Sequence, residues 1–235
     1  MLLNVPMLAQ PDDITCGPTS LHAVYQYFGL DLDLHDVIQG VNYLKDGGTL
    51  AVFLGIDALR RGFKARLYSY NLKIFDPTWD GLEPAHLIEK LVQQTQFKKG
   101  KRLRENSRAY QEFLRLGGEI RLRELYPRLL KGYFRQQLPV LTGLSATYLY
   151  NTKREYTGAH NRSVYDDLRG TPMGHFVVLC GTKKKHVRVA DPYKENPISG
   201  DHTYDVPMTR LLNAILLGIV TYDANLLVIA PPTAS

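Results

Sequence analysis

Three short islands hold the residue types that could do covalent chemistry. The first is Gln10-Pro11-Asp12-Asp13-Ile14-Thr15-Cys16-Gly17-Pro18. The second is Gly174-His175-Phe176-Val177-Val178, and the third is Val187-Arg188-Val189-Ala190-Asp191-Pro192-Tyr193. Cys16 stands where an amphipathic helix should begin. Unpaired N–H groups and the macrodipole at such a terminus favour a thiolate over a thiol. A nucleophile of this kind needs an imidazole partner, and the imidazole needs a group to orient it. His175 and Asp191 are the residues of those types at the ends of apolar runs. Gln10, six residues before Cys16, carries an amide that could donate to a developing oxyanion together with the Cys16 backbone N–H.

The elements that must position these groups follow from hydrophobic spacing. Pro18 suits a first helical turn, and Leu21, Val24, Tyr25 and Phe28 form one stripe that Gly29 ends. Further helices are expected over Leu34 to Leu44, from an N-cap at Thr49 to Gly62, and over Pro84 to Phe97. Asn106 to Leu116 and Arg123 to Phe134 also read as helices, with Pro127 marking the start of the second. Phe63 to Tyr70, Pro139 to Tyr150, His175 to Cys180, Val187 to Ala190 and Leu226 to Ile229 read as strands. Lys183-Lys184-Lys185 is a tight turn, Asn151 to Gly174 a long polar connection, and Pro207 to Leu217 a late helix. Antiparallel neighbours joined by that turn would bring His175 and Asp191 to one end of a sheet. Helices first and strands second give an α+β fold.

The remaining candidates carry simpler roles. Cys180 lies inside an apolar strand and reads as core. Asp12 and Asp13 read as stabilising the helix N-terminus, the alternative being contact with a substrate amine. His160 sits in a polar loop with nothing to order it, and His22, His35, His86, His186 and His202 read as structural. The histidines are scattered and no CxxC or HExxH spacing exists, so no metal or other cofactor is expected. Ser145 lacks the second glycine of a G-x-S-x-G elbow, which disfavours a serine hydrolase.

Composition sets the outer bounds. The chain has 235 residues, 44% hydrophobic and 22% charged, which excludes a disordered, collagen-like or coiled-coil protein. Two cysteines exclude a disulfide-built scaffold and suit a reducing compartment. The N-terminus has no basic or long apolar stretch, and the run Leu211 to Val220 is too short to span a bilayer. A cytoplasmic protein without membrane contact is expected. The net charge is +6, but Gln96 to Arg135 alone holds 12 Lys/Arg against 4 Glu. That segment lacks the aromatic interleaving of a nucleic-acid platform, so no nucleic-acid partner is expected. Its Tyr110, Phe113 and Leu114 fall at helical spacing, which implies docking on the body with the cations outward. Those cations would bias a substrate site toward acidic peptides.

Taken together, Gln, five residues, Cys-Gly, a long helix, a later Gly-His-Phe-Val and a final Val-x-Val-x-Asp-Pro resemble papain-like cysteine peptidases. The likeness is strongest to the double-glycine type that processes bacteriocin leader peptides, as a stand-alone domain. It covers residues 8 to 29 and 138 to 193. The resemblance implies a single papain-like domain over 1–235: a helical lobe at 1–92, a basic helical insert at 93–137 and a mostly antiparallel sheet lobe at 138–235. It implies Cys16 as nucleophile, His175 as general base, Asp191 as its orienting residue and Gln10 as oxyanion donor. The implied activity is cleavage of peptide or amide bonds. Transfer of the acyl group to an amine, or peptide binding without catalysis, are the alternatives. No spanning segment or phosphate loop is present, so processing coupled to export is not implied.

Overall fold

The computed structural model describes residues 1–44, 48–157, 163–221 and 224–232. Three helices open it: α1 (Cys16–Tyr27), α2 (Leu34–Gly40) and α3 (Ala51–Arg60). Then come β1 (Lys64–Ser69), α4 (Pro84–Phe97), α5 (Lys101–Arg115), β2 (Glu119–Arg121) and α6 (Pro127–Arg135). The second half contains β3 (Val140–Ser145), α7 (Ala146–Tyr150), β4 (Glu155–Thr157), β5 (Ser163–Tyr165) and β6 (Gly174–Lys183). It closes with β7 (His186–Ala190), β8 (Thr203–Pro207), α8 (Met208–Leu217) and β9 (Asn225–Ala230).

Seven strands form one sheet in the order β2-β1-β9-β3-β6-β7-β8, while β4 and β5 pair separately. Every neighbour pair in the main sheet is antiparallel except β1 with β2. The fold is therefore α+β with a mostly antiparallel sheet. Phe176 through Cys180 are buried at every position, so both pleat faces of β6 are covered. Helices α1 and α6 both pack on this strand. Ser20 fastens α1 in place by donating to the Phe176 carbonyl at 3.2 Å. Gly17 permits the close approach. A Cβ there would lie 2.5 Å from Cγ2 of Thr49 and 3.3 Å from the Phe176 ring. At the turn from β6 to β7, Lys184 takes the left-handed conformation (φ 55°) that a two-residue connection needs.

Several expectations shift. The helix expected over Leu34 to Leu44 ends at Gly40, where Val41 turns extended. Leu50, not Thr49, caps α3; the Thr49 hydroxyl instead donates to the Asn42 carbonyl at 2.8 Å. Pro139 to Tyr150 is not one strand. The Ser145 hydroxyl accepts from the Tyr148 N–H and starts a helical turn, which overrides the β-branched and aromatic composition. The polar connection Asn151 to Gly174 contains the β4–β5 hairpin. β1 lies where a strand is expected over Phe63 to Tyr70, but β2 is not expected, and the two lie on one edge of the sheet, so helices and strands interleave. Around Gln96 to Arg135, Tyr110, Phe113 and Leu114 are buried as their spacing predicts. Lys98, Lys99, Lys101 and Arg102 are exposed.

Candidate active site

Cys16 is the first residue of α1 and is 9% exposed. No side chain caps this helix, and its first turn has no acidic residue. Thr15 and Asp12 are occupied with each other: the Asp12 N–H donates to the Thr15 hydroxyl, which donates back to the Asp12 carbonyl at 3.2 Å. The Asp12 carboxylate accepts from the Ile14 N–H at 3.0 Å. Asp12 therefore shapes the turn before the helix and does not cap it. Pro18 removes one of the terminal donors, and Thr19 already bonds back to the Thr15 carbonyl. The N–H groups of Cys16 and Gly17 are the ones that remain at the N-terminal end of α1.

His175 stands second in β6, and Asp191 follows the last residue of β7. Their side chains meet, His175 Nε2 lying 2.7 Å from Asp191 Oδ1. Asp191 occupies only one ring nitrogen, and Cys16 lies close enough to the ring to act on it electrostatically. Burial pushes the imidazole down, but the Asp191 carboxylate, its hydrogen bond and the Cys16 partner outweigh burial and raise it to about 10. Burial pushes Asp191 upward, and the His175 charge with hydrogen bonds from His175, Tyr204 and Tyr150 holds it below the usual carboxylate range. The structure thus brings three of the four sequence-selected residues together as Cys16, His175 and Asp191.

Gln10 lies on the loop leading into α1. Its Nε2 donates to the Asp12 carbonyl at 2.8 Å, which leaves the second N–H of the amide, and its Oε1 is buried without a hydrogen bond among the described residues. Cys180 is 2% exposed in β6, and burial pushes its thiol up to about 12. Both cysteines are free. His202 anchors Asp191 from behind: its Nδ1 lies 2.7 Å from the Asp191 carbonyl, and its own carbonyl accepts the Asp191 N–H at 2.8 Å. His160 lies outside the described residues. Among the described residues no group of three His, Cys, Asp or Glu is placed to hold a metal ion. None of their helices is long and apolar enough to cross a membrane.

Two groups at the site escape the sequence reading. The hydroxyls of Tyr150 and Tyr204 both reach Asp191 Oδ2, at 2.7 and 2.5 Å. Tyr150 ends the helical turn α7 that composition disguised as strand. Tyr204 lies in β8, whose exposed-buried alternation from Thr203 to Pro207 was the available signal. Nearby, burial first and then the charges of Glu195, Glu155, Asp13 and Asp191 push the Tyr193 phenol upward. A separate cavity of about 650 Å³ lies at the opposite end of the sheet, lined in part by Arg66, Glu119, Arg121 and Tyr133. Its arginines are already paired with Glu119.

No family model matches the chain, and no curated protein matches it in sequence. Solved structures do match in shape. A putative C39-like peptidase from Bacillus anthracis aligns at TM-score 0.50 and 17% identity, covering 97% of this chain and 96% of that one. A double glycine motif protease from an AMS/PCAT transporter, solved with its leader peptide, aligns at TM-score 0.46 and 17% identity, covering 98% and 94%. The peptidase domain of Streptococcus ComA, a bi-functional ABC transporter of a quorum-sensing pathway, aligns at TM-score 0.46 and 13% identity, covering 97% and 99%. Over nearly its whole length, the chain has the papain-like α+β fold of the C39-like peptidases.

Proposed function

We propose that this chain is a cysteine peptidase or amidase, with Cys16 as nucleophile, His175 as general acid and base, Asp191 as orienting residue and Gln10 as oxyanion donor. The observation that carries the reading is the 2.7 Å His175–Asp191 pair, with Cys16 close enough to act on the same ring. The shared fold supports it.

The reaction runs in two halves. The Cys16 thiolate attacks the carbonyl carbon of a peptide or amide, and the oxyanion is held by the Cys16 N–H and the free N–H of the Gln10 amide. The protonated His175 gives its proton to the leaving nitrogen as the C–N bond breaks, leaving a thioester. Neutral His175 then takes a proton from water, whose oxygen attacks the thioester. Collapse releases the carboxylic acid, and the sulfur departs as thiolate beside the reprotonated ring. Asp191 keeps the imidazole oriented and stabilises its charge throughout.

The organisation we favour is one domain in a reducing, cytoplasmic setting, which two free cysteines suit. The substrate class we favour is acidic peptides. The support is the +8 local excess between Gln96 and Arg135 acting at long range. Peptide-library profiling of wild type and Cys16→Ala in parallel tests the whole reading. New carboxyl and amino termini with wild type alone support it. Absence of cleavage together with an unreactive Cys16 overturns it. Repeating the assay with added amines reports whether water or an amine takes the acyl group.

A further inference from the structure

Asp191 is fully buried. A buried carboxylate stays ionised only if its lone pairs are filled, because water is not there to fill them. All four positions are filled here. Oδ1 receives His175 Nε2 at 2.7 Å and the Tyr193 N–H at 2.9 Å. Oδ2 receives the hydroxyls of Tyr150 at 2.7 Å and Tyr204 at 2.5 Å. We propose that Tyr150 and Tyr204 are positioning residues for the reaction: their paired hydroxyls lock the plane of the Asp191 carboxylate so that Oδ1 alone faces His175. This rests on the catalytic reading of Cys16, His175 and Asp191 given above.

The choice of phenols has a physical logic. An arginine at this place would offer the carboxylate a rival cation and draw it from the imidazole. A water would fill the lone pairs but leave the carboxylate free to rotate. A phenol is a neutral donor on a rigid ring. Burial and the adjacent Asp191 charge push both phenols far above their ordinary range, so neither becomes an anion that would repel the carboxylate. The two rings come from separate elements, the last residue of α7 and the second of β8, so the carboxylate is gripped by two elements. The Tyr150 ring also sits beside the imidazole, with centroids 6.2 Å apart.

The test uses Tyr150→Phe, Tyr204→Phe and the double variant, which keep the rings and remove only the hydroxyls. In protein carrying ¹³C-labelled aspartate, the Asp191 carboxyl signal is assigned by its absence in Asp191→Asn and followed against pH. Each single variant should move that titration to higher pH. Each should also lower kcat by about tenfold, with KM nearly unchanged, as loss of a hydrogen bond to a charged group predicts. A wild-type titration curve and kcat in both single variants, whatever happens to Tm, overturns the proposal and leaves the phenols as packing. If the double variant does not fold, the single variants decide. If wild type shows no Cys16-dependent turnover, the catalytic reading fails. The carboxyl titration and the His175 ring-proton resonance then still report whether the hydroxyls set the Asp191–His175 geometry.

Discussion

The backbone N–H of Gln10 donates to the carbonyl of Pro192 at 3.0 Å. This bond ties the loop before Cys16 to the residue after Asp191, across 182 positions of sequence. The segment that leads into Cys16 and the residue that follows Asp191 are therefore held together by one backbone contact. Pre-organisation of this kind lowers the cost of assembling a reacting constellation.

The two thiols should separate by reactivity. Cys180 is buried in β6 with its thiol pushed up to about 12. Cys16 has a helix N-terminus and an imidazole partner. Mass-mapped iodoacetamide labelling of the folded protein at neutral pH should modify Cys16 faster by more than about tenfold. Equal rates would remove Cys16 as nucleophile.

Replacing Asp191 by Asn places an NH₂ group where two of four donors now point. Turnover should fall by about 10²–10⁴, since the amide neither stabilises the imidazolium nor fixes its tautomer. Tm should fall as well, because a buried donor loses its acceptor at a cost of about 1–3 kcal/mol. His175→Ala should cost more turnover than Asp191→Asn. Full activity in Asp191→Asn would make the residue structural only.

Stability should depend on pH through the same pair. His175 is raised in the folded state to about 10, above its unfolded value of about 6.5. Its contribution is fully present below about 6.5 and is lost as pH rises through about 10. Asp191 is depressed, so its contribution is present above about 3.9 and is lost as pH falls through its lower folded value. Thermal melts across this range should show wild type losing stability on the alkaline side more than His175→Gln does. Parallel curves for the two proteins would mean that His175 is not held charged.

The basic segment makes a salt-dependent prediction. Lys98, Lys99, Lys101 and Arg102 are exposed around the start of α5. Reversing them to Glu should slow capture of acidic peptides at about 0.01 M salt, where the Debye length is about 30 Å. At about 0.15 M, where it is about 8 Å, the difference should nearly vanish. Stopped-flow measurements with acidic and neutral peptides read it directly. Equal capture at low salt would return these charges to a purely solvating role.

The long periodic elements were legible in sequence because one face of each is buried at a fixed spacing. Pro84 to Phe97 is a helix as its pattern predicts, and the α5 stripe docks through Tyr110 and Phe113. The meeting of His175 with Asp191 was legible because a tight turn joins their strands. What escaped depended on non-local partners. Glu119–Arg121 has no periodicity of its own and is a strand only because β1 lies beside it. Tyr204 and Tyr150 read as ordinary aromatics until the chain folds them onto a carboxylate 13 and 41 residues away.

The place of β9 has a consequence for how the protein is made. It pairs with β1 on one side and β3 on the other, although it is synthesised after every other strand. Until Asn225–Ala230 leaves the ribosome, the sheet is two fragments, one holding β1 and β2, the other β3 with β6, β7 and β8. The thiol of Cys16 emerges first, and His175 and Asp191 follow about 160 and 175 residues later. At synthesis rates of about 5–20 residues per second, that gap lasts on the order of ten seconds or more. During that time Cys16 has neither His175 nor Asp191 beside it, and the sheet on which α1 packs is unfinished.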